Sequence, residues 1–178
     1  MRKYSLNYTA VMSLISCGIL ANTNPVCQKQ AGTTICGEGE LGVAGFNGVV
    51  RANGTKITKR LTVKGQALLK NTEINEMKVF GEAVISNTTV LGQSEVYGHL
   101  ECHQTQFKRR VTLWSNQLSA SNSIFEDVII SADQAMGRVV LSEKTTVNGN
   151  IVFKGQPGTV SLLSGAKIVG RIINGKQV

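Results

Sequence analysis

Apolar positions recur on a fixed schedule through most of the chain. Val63, Gly65, Ala67, Leu69, Asn71, Thr72 and Ile74 set a pattern, and Val79, Gly81, Ala83, Ile85, Asn87, Thr88 and Val90 repeat it at the same offsets. A third copy reads Val96, Gly98, Leu100, Cys102, Gln104, Thr105, Phe107. With one residue inserted, a fourth reads Leu113, Ser115, Leu118, Ala120, Asn122, Ser123, Phe125. The leading position continues at Ile130, Val147 and Ile168, so successive steps are 16, 17, 17, 17, 17 and 21 residues. A near-constant period is the mark of a repeat architecture.

Within a unit the apolar residues fall at i, i+4 and i+6, the alternation of a β-strand. The phase breaks at the Asn-Thr pair, and the next apolar residue comes at the odd offset i+11. A corner there explains the change, and Asn, Thr and Gly suit corners because they tolerate or stabilise turn conformations. One unit cannot bury its apolar row alone, so units must stack at about 4.8 Å. The pattern therefore predicts an all-β, single-stranded β-solenoid over 49–178, with 16–17-residue coils, preceded by a Gly- and Cys-containing segment and cap over 22–48. Val63, Val79, Val96, Leu113, Ile130 and Val147 are expected to form one internal column, and Leu69, Ile85, Cys102 and Ala120 another. Asn71, Asn87, Gln104 and Asn122 are expected to form an amide ladder. Six or seven coils give a rod about 30 Å long. A β-sandwich competes but needs no in-phase repeat. The lack of six-residue steps points to a right-handed parallel β-helix rather than a left-handed one.

The V-x-G-x-[A/L] pattern at this coil length, with the closing run Gly165-Ala166-Lys167-Ile168-Val169-Gly170-Arg171-Ile172, resembles the bactofilins, polymer-forming bacterial proteins. The likeness spans residues 60–175 or so. The resemblance implies a right-handed β-helix of short coils and a capacity to form filaments. One departure stands out: bactofilins are cytoplasmic scaffolds, whereas this sequence opens as exported chains do.

Arg2 and Lys3 precede an apolar run from Tyr8 to Leu20. At about 13 residues it is shorter than the roughly 20 needed to span a bilayer as a helix, which fits a signal peptide over 1–21 cleaved after Ala21. A second reading takes Leu14-Ile15-Ser16-Cys17 as a lipobox, with the lipoprotein signal ending at 16 and Cys17 lipidated. Either places the protein in the periplasm, at the outer membrane surface or outside the cell. In an oxidising compartment Cys27 and Cys36 can close a disulfide, a bridge that typically stabilises by about 2–4 kcal/mol.

Charge and composition narrow the function classes. Charged residues are 17% and aromatics 5%, with 19 Gly, and the formal net charge is +8. Cations concentrate at Lys56, Lys59 and Arg60 and again at Lys108, Arg109 and Arg110. These suit an anionic glycan or lipid surface. They lack the interleaved aromatics that stack on bases, so no nucleic-acid partner is expected. Phe80, Tyr97 and Trp114 take neighbouring positions in adjacent coils, a candidate protein or sugar contact. His99, Glu101, Cys102 and His103 look metal-like by type, but alternation turns Cys102 inward, away from both His. Glu126-Asp127 is the one adjacent acidic pair, no Gly-x-Ser-x-Gly elbow occurs, and Gly37–Gly48 lacks the Lys of a phosphate loop. No catalytic, cofactor or metal role is expected. The expected function is a non-enzymatic structural or interaction protein of the bacterial envelope or exterior, self-assembling through its ends, with surface binding through the basic patches as the alternative.

Overall fold

The computed structural model describes residues 26–132 and 135–178, and every regular element in them is a strand. The expected signal segment and Cys17 lie outside the described residues. The chain forms a β-solenoid whose coils each have three strand-forming faces, joined into continuous strands at Thr55–Lys70 and Glu73–Ser86 and broken into short ones above them. In one coil these are Ser94–Tyr97, Leu100–His103 and Gln106–Phe107. Each strand pairs in parallel with the matching strand one coil below and one coil above.

Three internal columns result. On the first face Val63, Val79, Val96, Leu113 and Ile130 are consecutive partners, and all five are fully buried. On the second, Leu69, Ile85, Cys102 and Ala120 follow one another and continue to Leu141 and Leu162. The third carries Ile74, Val90, Phe107, Phe125, Val147 and Ile168. The rungs of the first face begin at Ala44, Leu61, Met77, Ser94, Val111, Val128, Ile151 and Ile172. There are thus more coils than the period alone suggested.

Val147 corrects the expected first column. It stands above Phe125 on the third face, and Phe153 is the residue above Ile130. Ile168 likewise stacks on Val147. Coils lengthen beyond Ile130: the step to Phe153 is 23 residues, and Leu118 to Val139 to Val160 proceeds by 21 each time. The extra residues lie outside the strands, so a fixed step of 17 lands on the wrong face.

The corners explain why the period holds at all. Gly65, Gly81 and Gly98 have φ of +138°, +136° and +149°, a region closed to L side chains. Each sits against the glycine below, and a Cβ on Gly81 would run into the Gly65 carbonyl oxygen. At the opposite corner Asn71, Asn87, Gln104 and Asn122 adopt left-handed φ between +46° and +50°, which Asn tolerates better than most residues. The amide ladder is shorter than expected. Side-chain amides bond from Asn71 to Asn53 at 2.8 Å and from Asn87 to Asn71 at 2.6 Å. At Gln104 and Asn122 the rungs are held by backbone N–H groups donating to Ser121 and Ser142 carbonyls. The extra methylene of Gln104 moves its amide away from the position that the asparagines share.

Just inside that corner runs a buried hydroxyl column of Thr55, Thr72, Thr88, Thr105, Ser123 and Thr145. Thr72 and Thr88 share a hydrogen bond of 2.9 Å, while the Thr105 and Ser123 backbone N–H groups donate to the hydroxyl one coil above. The chain can therefore turn inside its own core without leaving these backbone groups unpaired.

At the N-terminal end Cys27–Gln30 pairs antiparallel with Thr33–Cys36, and a Cys27–Cys36 disulfide closes this hairpin. Thr33–Cys36 in turn pairs in parallel with Val49–Ala52. Stacking thus begins at Thr33, and the strand Ala44–Asn53 runs through the expected boundary between 48 and 49.

Val96 and its outward neighbour test the register. Val96→Asp puts an unpaired charge among fully buried side chains and is expected to cost about 3 kcal/mol or more. Glu95→Ala, on the solvent side, leaves the thermal midpoint nearly unchanged. Circular dichroism melts of the two variants decide.

Candidate interaction surfaces

The two basic clusters differ once side chains are placed. Lys56 pairs with Glu73 at 3.0 Å and Arg60 with Glu76 at 2.7 Å, each acid lying one coil above its partner. The hydrogen bond to Glu73 raises the Lys56 pKa above its ordinary value. Lys59 is exposed beside Val43 and Asn75. The first cluster is therefore largely compensated. Lys108, Arg109 and Arg110 are all exposed and line a shallow concavity of about 380 Å³ with Gln93, Glu126 and Asp127. Asn148 donates to the Glu126 carboxylate at 3.1 Å, and the Asn150 backbone N–H to that of Asp127 at 2.9 Å. Among the described residues these three cations form no ion pair.

The aromatic residues come together as their spacing predicted. Phe80 and Tyr97 stack with centroids 4.7 Å apart and planes 19° from parallel, and Tyr97 and Trp114 at 5.6 Å and 7°. Consecutive rungs hold like positions at the distance at which aromatic rings stack. Phe80 is 38% exposed and Trp114 47%. Lys78, which the sequence did not single out, lies 5.3 Å from the Phe80 centroid and 5.1 Å from that of Tyr97. Its ammonium also pairs with Glu95 at 2.8 Å, and that hydrogen bond raises its pKa. The signal for Lys78 was there to be found: it precedes Glu95 by one period, so opposite charges stack.

The His99–His103 segment separates its chemistry. His103 Nδ1 shares a 2.6 Å hydrogen bond with Ser121 Oγ on the outer surface. Cys102 is buried, its Sγ 3.7 Å from the Ser119 carbonyl oxygen. Among the described residues no group of three His, Cys, Asp or Glu side chains is placed to hold a metal ion. Burial pushes the Cys102 thiol up from 9.0 to about 12, which leaves it protonated and a poor nucleophile.

In comparisons with known proteins, no family model, curated protein or solved structure matches this chain.

Cys102 offers a direct check on burial. The native protein is expected to resist iodoacetamide at pH 8, and the unfolded protein to react at Cys102. A raised folded-state pKa also gives the sign of a pH effect. The unfolded thiol ionises near 9.0 and the folded one only near 12, so stability present below the lower value is lost as pH rises between the two. Cys102→Ala flattens that alkaline slope.

Proposed function

We propose that this protein is a non-enzymatic structural component of the bacterial cell envelope or exterior, a rigid bactofilin-like rod that assembles through its ends. The observation carrying this reading is the contrast between the two ends of the stack. At one end the disulfide-closed hairpin presents Gln28, Lys29 and Gln30, all exposed and polar. At the other, Lys167–Ile168, Ile172–Ile173 and Gly175–Gln177 pair with the coil below, with no strand above them among the described residues. Ile168 and Ile172 there pack only partly into the core. Unpaired strand edges beside apolar side chains are a template for another chain.

The Cys27–Cys36 disulfide supports an oxidising compartment, where such bonds persist. Together with the apolar run near the N-terminus it favours export over the cytoplasmic setting of the bactofilins. The scaffold reading asks nothing of the protein but stiffness, repetition and adhesive ends.

Electron microscopy and sizing test it. The protein is expected to form end-to-end oligomers through its C-terminal coil, and their share grows with concentration. Ile168→Lys combined with Ile172→Lys should return it to monomers while the circular dichroism spectrum stays β-type. Discrete monomers of the unaltered protein across concentration and salt contradict end-to-end assembly.

A further inference from the structure

The outward side of the first face holds a surface that the ends do not use. Phe80, Tyr97 and Trp114 form its stacked column. In the adjacent column Thr112 is followed by Ile129, Val152 and Ile173. One apolar strip therefore passes diagonally up the face, from Phe80 to Ile173. Lysines bound the aromatic column at both ends: Lys64 is the strand partner below Phe80, and Lys154 the partner above Ser131, which follows in the column after Trp114. Both are exposed, and among the described residues neither forms an ion pair. Arg110 immediately precedes the first-face strand Val111–Leu113, which Trp114 follows.

We propose that this face docks on an anionic lipid bilayer. Charge selects the sign of the partner. Of the acids beside the strip, Glu95 is paired with Lys78 and Glu76 with Arg60, while Asp127 accepts from the Asn150 backbone N–H, so Lys64 and Lys154 are left to meet a negative surface. A second copy of the chain fits poorly, because face-to-face pairing brings the unpaired Lys64 and Lys154 of the two copies together. Ring geometry separates a bilayer from a glycan. The rings lie nearly parallel and cover one another's faces, so it is mainly their edges that reach solvent. A sugar needs a free ring face, which only the ends of the stack offer. The headgroup region of a bilayer accepts Trp and Tyr as amphipathic bodies at its boundary, and a flat strip beside lysines supplies the apolar and electrostatic parts of interfacial binding. This site runs along the side of the rod and shares only the Ile172–Ile173 strand with the C-terminal end, and neither reading depends on the other.

Trp114 is the single tryptophan of the chain, so its fluorescence reports on this face alone. The full chain is mixed with vesicles of phosphatidylcholine containing phosphatidylglycerol, or of phosphatidylcholine alone, at low salt. The expected result is cosedimentation with the anionic vesicles only, a blue shift of Trp114 emission and weaker quenching by acrylamide. Lys64→Gln with Lys154→Gln changes only exposed side chains and should lower partitioning about twenty-fivefold, since each lysine near such a surface is worth about fivefold. Absence of cosedimentation overturns the proposal. So does cosedimentation with Trp114 emission unchanged, which assigns attachment to another part of the chain. Partitioning unaltered in the double variant contradicts it as well. A shift that grows with protein concentration alone makes the occupant a second copy, and a shift with soluble dextran sulfate but not with vesicles makes it a glycan. Either of these also refutes the bilayer.

Discussion

Hydrogen bonds between the backbones of successive coils set one spacing for the whole molecule, and most other features follow from it. A β-ladder places neighbouring strands about 4.8 Å apart. When the chain returns to the same face every 16 or 17 residues, each side chain finds its counterpart at that distance. For apolar residues the result is a dry column: Val63, Val79, Val96 and Leu113 are all fully buried although aromatics are scarce. For Phe80, Tyr97 and Trp114 it is a stack, and for Thr72 and Thr88 a shared hydroxyl bond. The ion pairs obey it too, since Lys56–Glu73, Arg60–Glu76 and Lys78–Glu95 each join residues one coil apart.

The corners keep that spacing honest. A residue with a side chain at Gly81 would push the coil away from the one beneath, so the turn is built from backbone alone. The opposite corner needs a left-handed residue at every turn, and the chain places Gly, Asn, Gln, Glu or Ser there. One position pays for the regularity. Ser94 sits in the first-face core between Met77 and Val111, and its hydroxyl has no hydrogen-bond partner among the described residues. A buried unpaired hydroxyl is unfavourable, so the fold carries this residue rather than gaining from it.

Much of this was legible in the amino-acid pattern because stacking makes like positions repeat. The columns from Val63 to Ile130, the pairing of Cys27 with Cys36 and the aromatic strip all came from spacing or proximity. Legibility failed where loops absorb extra residues. Between Ile130 and Phe153 the coil gains residues outside its strands, so counting by 17 placed Val147 on the first face when it belongs on the third. The basic clusters were visible, but not which of their members are neutralised. Pairing of Lys56 and Arg60 depends on the acid one period further on, a relation that only the stacked register makes meaningful.

A whole-coil deletion tests the stacked register most directly. Removing residues 80–96 takes out one complete turn and places Tyr97, Gly98, Leu100 and Cys102 over Lys64, Gly65, Ala67 and Leu69, columns that already accept those residue types. The account predicts that this shortened protein unfolds cooperatively and, by small-angle scattering, is shorter by one rung, about 4.8 Å, whereas removing only 80–88 abolishes folding. Equal tolerance of the two deletions, or equal damage from both, would contradict it.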